Sequence, residues 1–274
     1  MKKISVITIN YNDTVGLKRT IDSVAMQVNH NFEFIIIDGG STDGSVDVIK
    51  QNESIITYWC SEKDKGIYDA QNKGIAKATG EYLVFMNSGD TFYDKNVFGK
   101  FIEIQSANDK AIIYGNVNTI KGHIQTLEMQ NEQLTPYFWY KKTLNHQAAF
   151  IKRTLFTGFG LYNIEYRISA DFDFFLKVWL KMPQEYFYYN FTICNFYLDG
   201  LSQQKENFDI LVEEREVIYL RLFPDKLHKK LRKQFRRTLP FKSRVLDYIY
   251  ARPFLNAIFQ KLYKVYAKVN PPSS

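Results

Sequence analysis

The chain has 274 residues, 45% of them hydrophobic and 24% charged, which excludes wholesale disorder and fits one large domain, or one domain with an appendage. Fourteen glycines and seven prolines exclude a collagen-like or low-complexity chain, and two cysteines, Cys60 and Cys194, exclude a disulfide framework or a four-ligand zinc site. The net charge of +7 is unevenly spread, −5 over residues 1–220 and +12 over 221–274, so a mildly acidic, enzyme-sized front is followed by a basic extension suited to an anionic surface.

A reducing, cytoplasmic setting fits the cysteine usage. The N-terminal apolar run Ile4 to Ile9 is too short for a signal peptide, and no stretch reaches the roughly 18 apolar residues of a membrane span.

The first half alternates short buried-type strands with helices. Ile4 to Ile9 reads as a strand; Thr14 opens a helix whose Leu17, Ile21, Val24 and Val28 recur at three- or four-residue spacing; Phe32 to Ile37 is a second strand. A short helix Gly44 to Gln51, a strand Ile55 to Trp59, a helix Ile67 to Ala78 ended by Gly80, and an apolar strand Tyr82 to Met86 follow. This order predicts an α/β fold, a mostly parallel, Rossmann-like sheet with helices on both faces. Ligands of such sheets sit beyond the C-terminal strand ends. Four polar loops fall there: Asn10 to Asp13, Asp38 to Gly44, Ser61 to Gly66 and Asn87 to Asp90.

Beyond Ala111 the pattern predicts a strand to Asn118, a hairpin return through Lys121 and Gly122, and a strand Gln147 to Ile151. A helix Ala170 to Lys181, an aromatic strand Glu185 to Leu198 and an amphipathic helix from about Glu206 to Phe223 complete the front. The tail from Leu222 to Lys268 reads as helical, interrupted at Pro240 and Pro253. Basic residues from Lys229 to Arg237 flank Leu231, Phe235 and Leu239, and a later aromatic face runs from Phe254 to Tyr266. Such helices suit an anionic membrane surface; a solvated basic face packed on the enzyme or a partner subunit is the plainer alternative. No nucleic-acid reader motif is present.

Taken singly, the loop residues have plain alternatives. D-G-G-S-T-D-G from Asp38 to Gly44 suits either an anion cradle or a simple strand-to-helix turn in which Asp43 caps the next helix. Tyr11 suits a core position or a stacking platform, and Asp90 a turn or a divalent cation.

Together the segments S-V-I-T-I-N-Y-N, I-I-I-D-G-G-S-T-D-G-S and E-K-D-K-G-I-Y-D-A-Q-N-K-G-I-A-K-A-T-G-E-Y-L-V-F-M-N-S-G-D resemble the family 2 glycosyltransferases of GT-A fold, strongly over residues 3 to 92 and more loosely to about 200. The resemblance implies a catalytic domain, 1–220, that transfers a sugar with inversion from a nucleotide diphosphate donor, a UDP-sugar, with Mn or Mg. The acceptor would be a hydroxyl of a lipid-linked or other oligosaccharide, in the manner of bacterial surface-polysaccharide enzymes. It puts Thr8, Asn10 and Tyr11 around the base and ribose, with Tyr11 as the stacking ring and Asp38 accepting a base N–H. Asp64, Gly66, Asn72 and Lys73 would follow the ribose and diphosphate, Lys73 as a point charge unless it is an ordinary solvated lysine.

The family's acidic motif falls on Asn87 to Asp90, where a single carboxylate, Asp90, would bind metal with help from Ser88 or Asn87. The resemblance gives the catalytic base to Asp171 and a structural or acceptor-side role to Asp173, unless both are simply helix-start acids. His146 would approach the diphosphate or metal, or be a buried, hydrogen-bonded histidine. The implied location is peripheral, at the inner face of the plasma membrane through the 221–274 tail, with homo-oligomerisation left open. A sugar-nucleotide nucleotidyltransferase would need a glycine-rich loop after the first strand, where no glycine occurs before Gly16; a non-catalytic binding module is the other rival, suggested by the thinned acidic motif.

Overall fold

The structure, a computed structural model, describes residues 3–130, 133–198 and 207–238. It divides into two compact units, residues 1–222 and 223–274.

Continuous runs of β-branched and aromatic residues bury three of the four parallel strands on both faces, while the third in chain order, at the sheet's edge, is half-buried. Ile4–Asn10 (β1), Phe32–Asp38 (β2), Tyr58–Ser61 (β3) and Tyr82–Phe85 (β4) pair in parallel in the order β3, β2, β1, β4. Between them lie Thr14–Ala25 (α1), Ser45–Gln51 (α2) and Ile67–Lys77 (α3). The Asp13 side chain caps α1 by accepting from Gly16 N. Asp43 ties the starts of two helices together, taking Thr14 N on Oδ2 and Ser45 N on Oδ1. The third strand starts later than its sequence suggests. Ile55 and Ile56 are drawn into the turn after α2, where their N–H groups donate to Asn52 O and Glu53 O while their side chains pack against the core.

Past β4 the sheet becomes mixed. Thr91–Phe92 (β5), Ile112–Lys121 (β6), Ile124–Glu128 (β7), Ala149–Lys152 (β8) and Tyr186–Tyr197 (β9) extend the order to β3, β2, β1, β4, β8, β6, β9, β5, with β7 folded back on β6. β8 runs antiparallel to both β4 and β6, whereas β6 and β9 are parallel. Helices Val97–Ala107 (α4), Pro136–Lys141 (α5), Thr154–Phe159 (α6), Ala170–Lys181 (α7) and Asn207–Leu222 (α8) complete the first unit. The core of one sheet face comes from Leu17, Ile21 and Val24 of α1 with Phe98 and Phe101 of α4, where Phe101 stacks on Phe150 at 3.9 Å between ring centres. Helix α8 departs from the amphipathic expectation, leaving Phe208, Val212, Val217 and Leu220 exposed.

Register aligns the parallel strand ends. Asn10 pairs with Asp38 and Asp38 with Ser61, so three polar side chains from β1, β2 and β3 stand in one row at the carboxyl rim.

The described part of the second unit contains one helix, Asp225–Thr238 (α9), in which Leu227, Leu231 and Phe235 recur every four residues among lysines and arginines. The expected breaks at Pro240 and Pro253 and the aromatic face from Phe254 to Tyr266 lie outside the described residues. Among the described residues no helix is long and apolar enough to cross a membrane.

Candidate active site

The row at the strand ends organises the first part of the site. Asp38 is fully buried and accepts from five donors of its own chain: Asn10 Nδ2 at 2.7 Å and Ser41 Oγ at 2.6 Å on Oδ1, and Gly40 N, Ser41 N and Ser61 Oγ at 3.2, 2.9 and 2.6 Å on Oδ2. Burial alone would raise its pKa, but these donors, the Ser41 and Ser61 hydroxyls foremost, outweigh burial and hold the carboxyl below its ordinary value. The loop's own hydroxyls and amides thus hold the Asp38 carboxylate in place at the rim.

A second carboxylate, Asp64, lies beside the exposed Tyr11 ring. Gly39 packs so tightly that a Cβ there would meet Asp64 Oδ2 at 2.8 Å and Tyr11 Cδ2 at 3.2 Å. Asp64 Oδ1 accepts from Gly66 N at 3.0 Å, and Gly66 adopts φ +125°, a glycine conformation, to open α3. Tyr11 is 67% exposed, a free aromatic face at the rim.

Three other residues of the expected donor site bond within the chain. Thr8 is buried and donates to Met86 O at 2.7 Å, linking β1 to β4. Asn72 uses both ends of its amide on the backbone of Tyr162, at 2.8 and 3.0 Å. Lys73 pairs with Glu62 at 2.9 Å and Asp69 at 3.7 Å, because one helical turn and the neighbouring loop supply carboxylates within reach; the Glu62 hydrogen bond raises its pKa.

The turn Asn87 to Asp90 is held from α1. Ser88 Oγ donates to Asp13 Oδ2 at 3.0 Å, and Gly89, at φ +98°, donates its N–H to Thr20 Oγ1 at 3.0 Å. Asp90 is buried. Its Oδ1 accepts from Tyr197 N at 3.0 Å and its Oδ2 from Gln147 Nε2 at 2.8 Å. Burial pushes its pKa up to about 6, only partly offset by these donors and by the charge of Arg19. The Arg19 guanidinium lies 3.7 Å above the Tyr197 ring.

Among the described residues, no three acidic, histidine or cysteine side chains converge on one point. Asp90 keeps one unused lone pair on each oxygen, and Asp13 Oδ2 flanks the same turn, 3.5 Å from where a Gly89 Cβ would sit. That donor set fits a hard cation that takes one or two carboxylates and draws its remaining oxygens from phosphates and water.

The second part of the site is a chain of hydrogen bonds ending on Asp171. Gln71 Nε2 donates to Asn87 Oδ1 at 3.3 Å, which turns the Asn87 Nδ2 toward His146 Nε2, 3.1 Å away. His146 Nε2 then acts as acceptor, so the ring carries its proton on Nδ1 and donates to Asp171 Oδ2 at 2.9 Å. Asp171 Oδ1 accepts from the Tyr68 hydroxyl at 3.0 Å and from Phe172 N at 2.8 Å. Burial by itself raises the Asp171 pKa, yet the His146 hydrogen bond, with the Phe172 and Tyr68 donors, brings it below the ordinary aspartate value. The result is a carboxylate kept ionised in a nearly dry site.

Asp173, two residues on, is buried against Arg221 of α8 and Lys177, the latter at 2.7 Å. Sequence reading did not assign Tyr68, Gln71, Gln147 or Asp13 to the site. Tyr68 and Gln71 carry the one local signal, a three-residue spacing that puts two polar-tipped side chains on the buried face of α3.

Residues 5–167 match Glycosyl transferase family 2. An uncharacterized glycosyltransferase of Mycobacterium tuberculosis, Rv1514c, is 33% identical over 212 residues, 74% of this chain and 78% of the relative. Among solved structures, S. aureus TarS residues 1–349 in complex with UDP-GlcNAc matches with a TM-score of 0.65 at 16% identity, over 83% of this chain and 69% of that one. The mannosyltransferase PcManGT from Pyrobaculum calidifontis, in complex with GDP-Man and Mn2+, gives 0.55 at 15% identity over 97% and 86%. The chain belongs to glycosyltransferase family 2. It is a glycosyltransferase of GT-A-like fold.

Proposed function

We propose that the enzyme transfers a sugar with inversion from a nucleotide diphosphate donor, a UDP-sugar, to a hydroxyl of a lipid-linked glycan in surface-polysaccharide assembly. The observation that carries this reading is Asp171, an ionised, buried carboxylate oriented by His146 and Tyr68 beside the strand-end rim. In the reaction Asp171 takes the proton of the attacking hydroxyl as its oxygen bonds to the anomeric carbon and the bond to the leaving diphosphate breaks. His146 and Tyr68 hold the carboxylate in place, so little reorganisation accompanies proton transfer.

Tyr11 stacks on the base, with Asp64 beside it as acceptor for a base N–H and the Asn10–Asp38–Ser61 row shaping the loop beneath. A divalent cation, Mn or Mg, held by Asp90 with Ser88 or Asp13 nearby would supply positive charge to the departing diphosphate. The nucleotide-bound TarS and PcManGT structures support a nucleotide-sugar donor. Helix α9, with its apolar stripe among basic residues, and the +12 charge of residues 221–274 support attachment to an anionic membrane surface.

A panel of sugar nucleotides with Mn, scored for slow donor hydrolysis and for transfer, tests the reading. Turnover of a UDP-sugar is the expected result. Binding of UDP without turnover of any donor would make the chain a binding module instead.

A further inference from the structure

A second cavity, of about 450 Å³, opens between the end of β7, the end of α5 and α8. Lys141, Lys142 and Arg215 converge on it, with Met129, Phe138 and Thr143 completing much of the wall. Among the described residues no carboxylate forms an ion pair with any of these three cations, whereas Lys3, Lys18, Lys73, Lys100, Lys152, Lys177 and Arg221 are all paired. The cavity's own acid, Glu128, accepts from Thr119 Oγ1 at 2.7 Å.

Arg215 is the anchor. Its guanidinium lies 4.7 Å above the Phe172 ring, while its Nε is buried and meets no acceptor. A guanidinium held by its face on an aromatic ring leaves its edge donors for a planar or tetrahedral oxyanion. A buried N–H without an acceptor is costly, and a bound anion removes that cost.

The cavity is also fixed relative to the chemistry. Phe172, which carries Arg215, directly follows Asp171 and bonds it through its N–H. Glu214, beside Arg215, accepts from the N–H groups of Arg167, Ile168 and Ser169 just ahead of α7, and Arg221 of the same helix pairs with Asp173. Helix α8 is therefore pinned to the helix that bears Asp171.

We propose that this cavity is an anion subsite that takes the phosphate or diphosphate group of the acceptor. The inference builds on the proposed reading of the chain as a transferase acting on a lipid-linked glycan, and it gives that acceptor a recognition element separate from the donor rim. A lipid-linked glycan and a soluble sugar phosphate share the chemistry. Met129 of the cavity wall is itself exposed, an apolar side chain able to meet the first carbons of a lipid chain.

Calorimetry on the full chain, in metal-free buffer with UDP filling the donor end, tests it with inorganic pyrophosphate and with farnesyl diphosphate as probes. Pyrophosphate is expected to bind wild type, about tenfold more weakly in R215Q and about fivefold more weakly in K141Q/K142Q, and more weakly as salt rises. Tighter binding of farnesyl diphosphate than of pyrophosphate assigns the site to a lipid-borne acceptor; equal binding assigns it to a soluble phosphate. Thermal melting checks the fold of R215Q, and should that variant unfold, the exposed lysine pair decides. Absence of pyrophosphate binding, or equal affinity in wild type and K141Q/K142Q, overturns the proposal. Because the measurement needs no turnover, it stands even if no sugar nucleotide proves to be a donor.

Discussion

His146 stands between Asn87 and Asp171, 3.1 Å from the amide nitrogen of the first and 2.9 Å from the carboxylate of the second. One imidazole thereby joins the turn that carries Asp90 to the carboxylate assigned as the base, and its tautomer is set by the amide on the far side.

Replacing Asp171 by Asn removes the proton acceptor while keeping the shape. Transfer should fall by about 100-fold or more, with UDP affinity changed by no more than about threefold, since a base acts in the transition state. Steady-state kinetics beside UDP calorimetry checks this. Asp173→Asn should cost stability, through its pairs with Arg221 and Lys177, without abolishing chemistry. A dead D173N and an active D171N would reverse the assignment.

Loss of His146 should move the pH profile. Its hydrogen bond is the largest of the influences that lower the Asp171 pKa against burial, so in His146→Gln that pKa rises. A base works only when ionised, and the acidic limb of kcat should shift to higher pH, with the largest loss of rate below neutrality. An unshifted limb with reduced rate at all pH values would mean that His146 acts elsewhere.

Metal dependence can be read at Asp90. UDP binding should strengthen when Mn is added, and Asp90→Asn should abolish that increment. Binding that is equal with Mn and with chelator would remove the cation from the site.

Glu33 offers a stability test remote from the chemistry. It is buried on β2 and accepts from the Ser5 hydroxyl, from Thr79 N and Oγ1, and from Gly80 N, closing the end of α3 onto the sheet. Burial acts to raise its pKa, but these donors leave it below the ordinary value. A depressed carboxylate stabilises the fold above its unfolded pKa, and that contribution disappears as pH falls through the folded one. Glu33→Gln should cost about 2 kcal/mol at neutral pH, with the gap to wild type closing in melts below about pH 4.

The charge division makes the tail separable. A chain truncated after Phe223 should keep donor hydrolysis but no longer sediment with phosphatidylglycerol vesicles, and binding of the full chain should weaken as salt rises. An insoluble truncated protein would give the tail a structural role instead.

Strands β1, β2 and β4 were legible because each is a nearly unbroken apolar run, whereas β3 was displaced along the chain because Ile55 and Ile56 pack on the core from a turn. What the individual rim residues touch was not legible. A carboxylate just after a strand looks the same in sequence whether it meets a ligand or its own chain. Asp38 meets Ser41 and Ser61, three and 23 residues away, and only the register of β2 against β3 brings Ser61 to it. Asn72 and Tyr162 lie 90 residues apart, and their pairing depends on how the second half settles on α3. Lys73 could have been read locally, since Asp69 is one helical turn behind it. The burial of Asp90 was not legible for a different reason: both of its partners, Gln147 and Tyr197, belong to the half of the chain with irregular connections.

The hydrogen-bonded chain from Gln71 through Asn87 and His146 to Asp171 also has an order in time. A ribosome releases the Asn10, Asp38 and Ser61 row and the Asp90 turn before it reaches His146, and Asp171 comes last. Domains are made from the N-terminus onward, so a partly synthesised chain presents the groups assigned to the nucleotide before it possesses a base. Activity therefore arrives late in synthesis, when the second half brings His146 against Asn87, and an incomplete chain carries no chemistry to misdirect.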